Sequence, residues 1–186
     1  ADIIPLSRFS SLLGLTDLVR LQKGYLVYTG MLRTPVAALL STVNLYGTQT
    51  PVSTEYFAAS ADVHLVLGHI TPGEYSCDTP DRKEKTRDAS MRRLARVVCS
   101  DLEEIGQDGA IAISRAFWDR QRSLIGETVA RVKQESGASS VIVAGIGAGL
   151  FTRECGGIDL TQALGPAADA LPAHAVRELA LRKGGW

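Results

Sequence analysis

The stretch Val141-Ile142-Val143-Ala144-Gly145-Ile146-Gly147-Ala148-Gly149-Leu150 constrains this chain more than any other. An apolar, β-branched run leads straight into alternating glycines. Such a run reads as a buried strand. Gly145, Gly147 and Gly149 remove the Cβ atoms where the chain leaves the sheet, so a phosphate, ribose or base can approach the backbone. The spacing is Gly-x-Gly-x-Gly, and only Leu150 to Trp186 follow. That is too short for most of a Rossmann dinucleotide-binding domain, and no acidic residue closes a following strand. The expectation is an α/β domain whose last strand and loop hold a nucleotide-type or phosphorylated ligand. A tight strand-to-helix turn, with glycines for packing alone, is the plainer alternative.

With 186 residues the chain can bury one medium core. Its formal net charge is zero, so no basic field points to nucleic acid. No apolar run reaches the length of a membrane span, and no secretory pattern opens the chain. Cys77, Cys99 and Cys155 are widely spaced and odd in number, which indicates neither a disulfide framework nor a zinc site. A cytoplasmic location is expected, with Cys99 on the apolar side of a helix as plain core. The chain opens at Ala1 as if inside a strand, which reads as a processed or truncated piece.

Periodicity predicts a helix-rich α/β chain with few strands. Asp2–Leu6 and Tyr25–Tyr28 read as strands, and Ser7–Lys23 as a mixed stretch. Thr34 followed by Pro35 reads as a helix start with Val36, Leu39, Leu40 and Val43 on its apolar face. Residues 44–52 read as a loop. Ser53 opens a helix that carries Phe57, Ala61, His64 and Leu67 and stops at Gly68. Residues 71–85 read as a mobile loop. Asp88 caps a helix with Met91, Leu94, Ala95, Val98 and Leu102 buried and Arg92, Arg93 and Arg96 off that stripe. Asp108 opens a long helix that Gly137 stops. Pro172 starts a last helix ending near Arg182.

Three further constellations carry chemistry. Arg33 stands beside the N–H groups of a helix start at Thr29-Gly30 to Thr34-Pro35, a natural anion site, although a capped helix with a surface arginine fits as well. The loop from Cys77 to Arg87 holds Asp78, Asp81, Arg82, Lys83, Lys85 and Arg87. Its carboxylates suit Mg²⁺ with phosphate oxygens, and its cations suit a leaving diphosphate; a solvated charged loop is the ordinary reading. Asp62 lies among Ala58, Ala59, Ser60 and Ala61, where a ligand can come close, or is an exposed helix carboxylate. His64, His69 and His174 show no triad or metal spacing and read as structural.

Four segments together resemble one family: Asp2-Ile3-Ile4-Pro5-Leu6, residues 26–36 (Leu-Val-Tyr-Thr-Gly-Met-Leu-Arg-Thr-Pro-Val), residues 61–68 (Ala-Asp-Val-His-Leu-Val-Leu-Gly) and residues 92–99 (Arg-Arg-Leu-Ala-Arg-Val-Val-Cys). The chain resembles the tetrahydromethanopterin-linked C1-transfer proteins of the hydantoinase/oxoprolinase group, whose archaeal members look like furan-methanamine synthases of methanofuran biosynthesis. The resemblance implies the actin-like ATPase superfamily (sugar kinase, Hsp70, actin), with two ribonuclease-H-like lobes around a cleft. The Gly- and Thr-rich phosphate hairpins that precede Asp-Ile-Ile-Pro in that family do not occur in this sequence. Residues 1–186 then correspond to a single C-terminal lobe, inactive without its N-terminal lobe or a companion chain, and compatible with a homo-oligomer.

The implied reaction of one-carbon metabolism is displacement of diphosphate from an aminomethylfuran-methyl diphosphate by the phenol oxygen of a tyramine-type acceptor. Under it Arg33 with Lys83 or Lys85 meets the diphosphate, and Asp62 or Asp78 stands near Mg²⁺ or the phenol. Thr29, Gly30 and Thr34 join the glycine loop in lining a small phosphorylated ligand. An ATP-dependent small-molecule kinase, a hydantoinase/oxoprolinase-type hydrolase and a non-catalytic lobe are the rival readings.

Overall fold

The structure, a computed structural model, describes residues 1–8, 12 and 14–182. The mixed stretch expected from Ser7 to Lys23 is therefore seen in part, since Phe9, Ser10, Ser11 and Leu13 lie outside the described residues. In chain order come α1 (Asp17–Gln22), a 3-10 turn (Val36–Ala38), the strands β1 (Thr42–Leu45) and β2 (Thr48–Pro51), α2 (Ser60–Val66), α3 (Arg87–Arg96) and α4 (Leu102–Ser136). Then follow β3 (Ile142–Val143), α5 (Ala148–Cys155), β4 (Ile158–Asp159), α6 (Thr161–Leu164), a 3-10 turn (Gly165–Ala170) and α7 (Leu171–Arg182). Mixed α/β character is as expected, but the described residues form only two two-stranded sheets.

The core lies between α2, α3 and α4. Val63, Val66, Met91, Leu94, Ala95, Ile113 and Phe117 are buried there with Val36, Leu40 and Val43. A smaller cluster of Met31, Ala61, Leu65, Ile70 and Tyr75 lies on the other side of α2, with Leu150 and Phe151 packed against it. Every residue of α2 is buried. Its polar members Ser60, Asp62 and His64 must therefore find partners inside the protein.

Local chemistry explains where the chain departs from its periodicity. Thr34 caps no helix, because its hydroxyl accepts from Gly30 N (3.0 Å) and sits against Thr29 Oγ1 (3.1 Å). Pro35 bridges Ala59 instead, and Val36 N donates to Ala58 O, so the expected helix shrinks to one 3-10 turn. Residues 44–52 are not a loop: β1 and β2 pair antiparallel from Thr42↔Pro51 to Leu45↔Thr48. Tyr46 (φ 53°) and Gly47 (φ 86°) form the tight turn between them, with Asn44 Oδ1 accepting from Gly47 N. Ser53 starts no helix; its hydroxyl accepts from Glu55 N, and regular helix begins only at Ser60. The expected strands at Asp2–Leu6 and Tyr25–Tyr28 reduce to one bridge between Asp2 and Leu26.

Helix α3 starts one residue before Asp88, with Thr86 Oγ1 accepting from Ala89 N. Beyond it Cys99 is exposed with a left-handed φ of 57°, so it is not core. Helix α4 is capped by Asp101 instead of opening at Asp108, so Leu102, expected on the stripe of α3, is its first residue; it kinks at Gly106 (φ 60°, ψ 176°) and ends at the left-handed Gly137, the stop the sequence indicates. Strand β3 is neither deeply buried nor last. Ile142 is 55% exposed and pairs in parallel with Ile158 of β4, which is 59% exposed. Helix α7 closes the described chain close to its expected limits. No helix among the described residues is long and apolar enough to cross a membrane.

Candidate functional site

Two open depressions flank the segment 74–85. The first, about 350 Å³, is lined by residues 145–149 with Glu74, Ser76, Thr161 and Asp169. Gly145 (φ 101°) and Gly147 (φ 87°) take backbone conformations that a side chain disfavours. Gly147 also caps α5 and lies against the segment that carries Arg33: a Cβ here would stand 2.8 Å from Met31 Cγ and Sδ. At Gly145 nothing approaches within 4 Å. Packing thus explains Gly147, while Gly145 borders open space.

The second depression, about 280 Å³, gathers Asp78, Thr79, Arg82, Lys83 and Lys85. Lys83, Lys85 and Asp78 thus meet in one place, and Arg82 joins them. The loop is tightly built. Thr79 Oγ1 donates to Lys83 O (2.9 Å), Arg82 N to Thr79 O (3.1 Å) and Lys83 N to Asp81 Oδ1 (3.2 Å). Arg82 itself takes a left-handed φ of 57°. The Lys85 ammonium lies 5.6 Å from the centre of the Tyr75 ring. Cys77 Sγ donates to Leu32 O (3.4 Å), which fastens this loop beside Arg33. Burial raises the Cys77 thiol against the opposing charges of Lys85 and Arg33, so both cations lie in its neighbourhood. Arg33 is exposed and lines neither depression.

What holds this loop is a buried guanidinium. Arg93 and Asp62 are both fully buried and pair at 2.8 Å. Arg93 also donates to Asp81 Oδ1 (3.1 Å), Glu84 O (3.2 Å) and Ser90 Oγ (3.1 Å). Asp62 accepts in addition from Ser90 Oγ (2.8 Å), Tyr75 Oη (3.2 Å) and Ala59 N (3.0 Å). Burial opposes ionisation of Asp81, but Lys83 N–H and the Arg93 charge hold its carboxyl below the usual range. Burial and the Asp62 charge push the Tyr75 phenol far up. The loop expected to be mobile is therefore pinned from within. Asp62, expected beside a ligand, has no exposed surface, and its oxygens are committed to protein donors.

A second buried network starts at Thr29 and Thr34, both expected ligand contacts. Their hydroxyls face each other inside, and Gln121 Nε2 donates to Thr29 Oγ1 (2.9 Å) and Gly30 O (3.0 Å). Gln121 Oε1 lies 2.9 Å from His64 Nε2, and His64 Nδ1 lies 3.0 Å from His69 Nδ1. Burial lowers the His64 pKa to about 4. His69, half-buried against Trp118, is lowered by burial and then by the Arg153 charge. The sequence reads both histidines as structural and gives no signal for Gln121, because their partners come from separate segments.

Comparison with known proteins supplies the family. The Hydantoinase/oxoprolinase family profile matches residues 10–176. Over 146 residues, 78% of the chain, it is 40% identical to a protein of Methanococcus vannielii named (4-{4-[2-(gamma-L-glutamylamino)ethyl]phenoxymethyl}furan-2-yl)methanamine synthase. A Methanocaldococcus jannaschii protein of the same name is 38% identical over 146 residues. The chain spans 66% of the length of the first relative and 44% of the second. This chain therefore belongs to the hydantoinase/oxoprolinase family.

Proposed function

We propose that this chain forms the diphosphate-handling part of a cytoplasmic transferase of methanofuran-type coenzyme biosynthesis, within tetrahydromethanopterin-linked one-carbon metabolism. The reaction joins an aminomethylfuran-methyl diphosphate to the phenol oxygen of a tyramine-type acceptor and releases diphosphate. One observation carries the reading: Arg82, Lys83 and Lys85 converge with Asp78 on one depression whose loop is fixed by a buried ion pair. A furfuryl-type carbon tolerates positive charge, so the leaving group can depart early. Catalysis then consists largely of stabilising the departing anion with preorganised cations. The names of the two relatives describe a furan joined through a phenoxymethyl ether, which is the linkage such a displacement makes.

Lys83, Lys85 and Arg82 bind the diphosphate oxygens in this reading, and Arg33 meets the ligand from beside Cys77. Asp62 acts at a distance, holding Arg93 and through it the loop. Asp78 is the exposed carboxylate of the depression. Among the described residues no group of three or more His, Cys, Asp or Glu forms a ready metal cage. A single carboxylate with phosphate oxygens and water suits Mg²⁺, which Asp78 would hold to neutralise the developing charge. Gly145 and Gly149 border the neighbouring depression, where the rest of the phosphorylated substrate lies. The cleft of an actin-like, ribonuclease-H-like enzyme would be completed by the remaining family polypeptide, by a companion chain or by a second copy.

The test is to supply the diphosphate and a tyramine-type phenol and to follow diphosphate release and ether formation by mass. Both are expected from wild-type protein, combined with the remaining family polypeptide as needed. Lys83→Ala with Lys85→Ala is expected to lower kcat/KM by about 10²–10³-fold. ATP turnover without ether formation would overturn the reading in favour of a kinase or a ring-opening hydrolase.

A further inference from the structure

The hydrogen-bond network around His64 fixes the protonation pattern of a histidine outside both depressions. Gly30 O is purely an acceptor, so the Gln121 amide must present Nε2 to it and Oε1 to His64. His64 Nε2 must then carry a proton. Full burial keeps His64 neutral, which leaves its Nδ1 bare. The contact at 3.0 Å is then possible only if His69 Nδ1 carries the proton. In neutral His69 the lone pair therefore resides on Nε2. No protein partner occupies that atom among the described residues, and it is not enclosed. An isolated histidine divides its neutral form between two tautomers; this one is held in a single acceptor state.

The surroundings favour a neutral acceptor with an aromatic neighbour. His69 lies 5.0 Å from Trp118 of α4 and 5.3 Å from His64 of α2, ring centre to ring centre, and Trp118 lies 5.3 Å from Phe151 of α5. The charged group acting on it is Arg153 of α5, whose Nε donates to Gly149 O in the glycine loop. Burial first, and that cation second, disfavour the protonated form of His69.

We propose that His69 Nε2 is the proton acceptor for the hydroxyl of the aromatic acceptor substrate. This rests on the transferase reading. As the carbon–oxygen bond to diphosphate breaks, its electron pair leaves with the diphosphate. The phenol oxygen supplies the pair for the new carbon–oxygen bond, and its proton passes to His69 Nε2 and then to solvent. Gln121 and His64 act as positioning residues through the tautomer they impose.

The experiment compares pH profiles of wild type and His69→Asn. Asparagine keeps a donor toward His64 near the Nδ1 position but has no group at Nε2, so folding is preserved. The expected result is a fall in kcat of at least about 10²-fold, loss of the acidic limb and an unchanged KM for the diphosphate substrate. A His69→Asn enzyme with wild-type kcat and the same acidic limb would overturn the proposal. Nitrogen NMR of the unliganded protein needs no substrate and is expected to show neutral His69 with its proton on Nδ1; a proton on Nε2 would also overturn it. A wild-type enzyme that releases no diphosphate would instead defeat the transferase reading, and the NMR result would still decide the tautomer.

Discussion

Replacing Arg93 by Met should destabilise the protein more than any other single change in the loop region. The guanidinium is fully buried and serves Asp62, Asp81, Ser90 and the Glu84 carbonyl at once. Methionine fills much of its volume, so a void contributes little. The cost comes from Asp62, left charged with no exposed surface, and removing one partner of such a pair costs about 3–5 kcal/mol. Asp62 keeps three neutral donors, from Ala59, Ser90 and Tyr75, which favours the lower half of that range. For a chain of this length the loss corresponds to roughly 10 °C in Tm. Urea unfolding followed through the fluorescence of the two tryptophans, Trp118 and Trp186, gives the free energy. Adding Asp62→Leu to Arg93→Met should recover most of the loss, because replacing a buried pair by apolar groups is often close to neutral. The double variant should still bind diphosphate weakly, since the loop has lost its anchor. If Arg93→Met costs less than about 1 kcal/mol, or if Asp62→Leu gives no recovery, the buried-charge argument is wrong.

Gly147→Ala is expected to cost about 1–3 kcal/mol, because it adds left-handed strain and a contact 2.8 Å from Met31; thermal unfolding measures it, and Met31→Ala in the same chain should relieve the steric part. His64 has its folded pKa depressed to about 4 from 6.5, so the unfolded chain binds the extra proton between those values. Stability is then full above pH 6.5 and declines as pH falls toward 4, by about 3 kcal/mol in total; urea titrations at pH 7 and pH 4.5 should show this slope, and His64→Phe should flatten it. Arg33→Ala should raise KM for the diphosphate substrate about tenfold while unfolding is unchanged, since this side chain is exposed; equal KM values in steady-state kinetics would remove Arg33 from the site.

Much of the helical framework is legible in local chemistry. Helix α4 shows its stop at Gly137, and α3 shows its buried Met91, Leu94 and Ala95, because both signals lie within a few residues of the feature they set; Val98 and Leu102, expected on the same stripe, fall beyond α3. The glycine loop is legible for the same reason. The buried centre is not. Arg93 stands off the apolar stripe of α3 in sequence, yet is fully buried because Asp62 and Asp81, distant along the chain, neutralise it. Asp62 looks like a surface carboxylate until α2 is seen to be enclosed on every side. Thr34-Pro35 carries a sound helix-start signal, but the pairing of Val36 N with Ala58 O outcompetes it. The hairpin is hidden by the polar strand β2 and by Tyr46 where a turn usually shows glycine or asparagine. Of the site residues, Lys83, Lys85 and Asp78 meet as a charged loop suggests, whereas Thr29 and Thr34 turn inward.

The corner formed by β3 and β4 differs in kind from the rest of the molecule. Two parallel strands of two residues each, showing Ile142 and Ile158 to solvent, carry few protected amides. Local opening there should require far less free energy than opening at α2. Such opening would free the glycine loop while Arg93 and its partners stay closed. Amide exchange at Ile158 and Leu160 thus offers a reporter of occupancy beside the glycines, slowing when a ligand settles there and leaving the α2 amides indifferent.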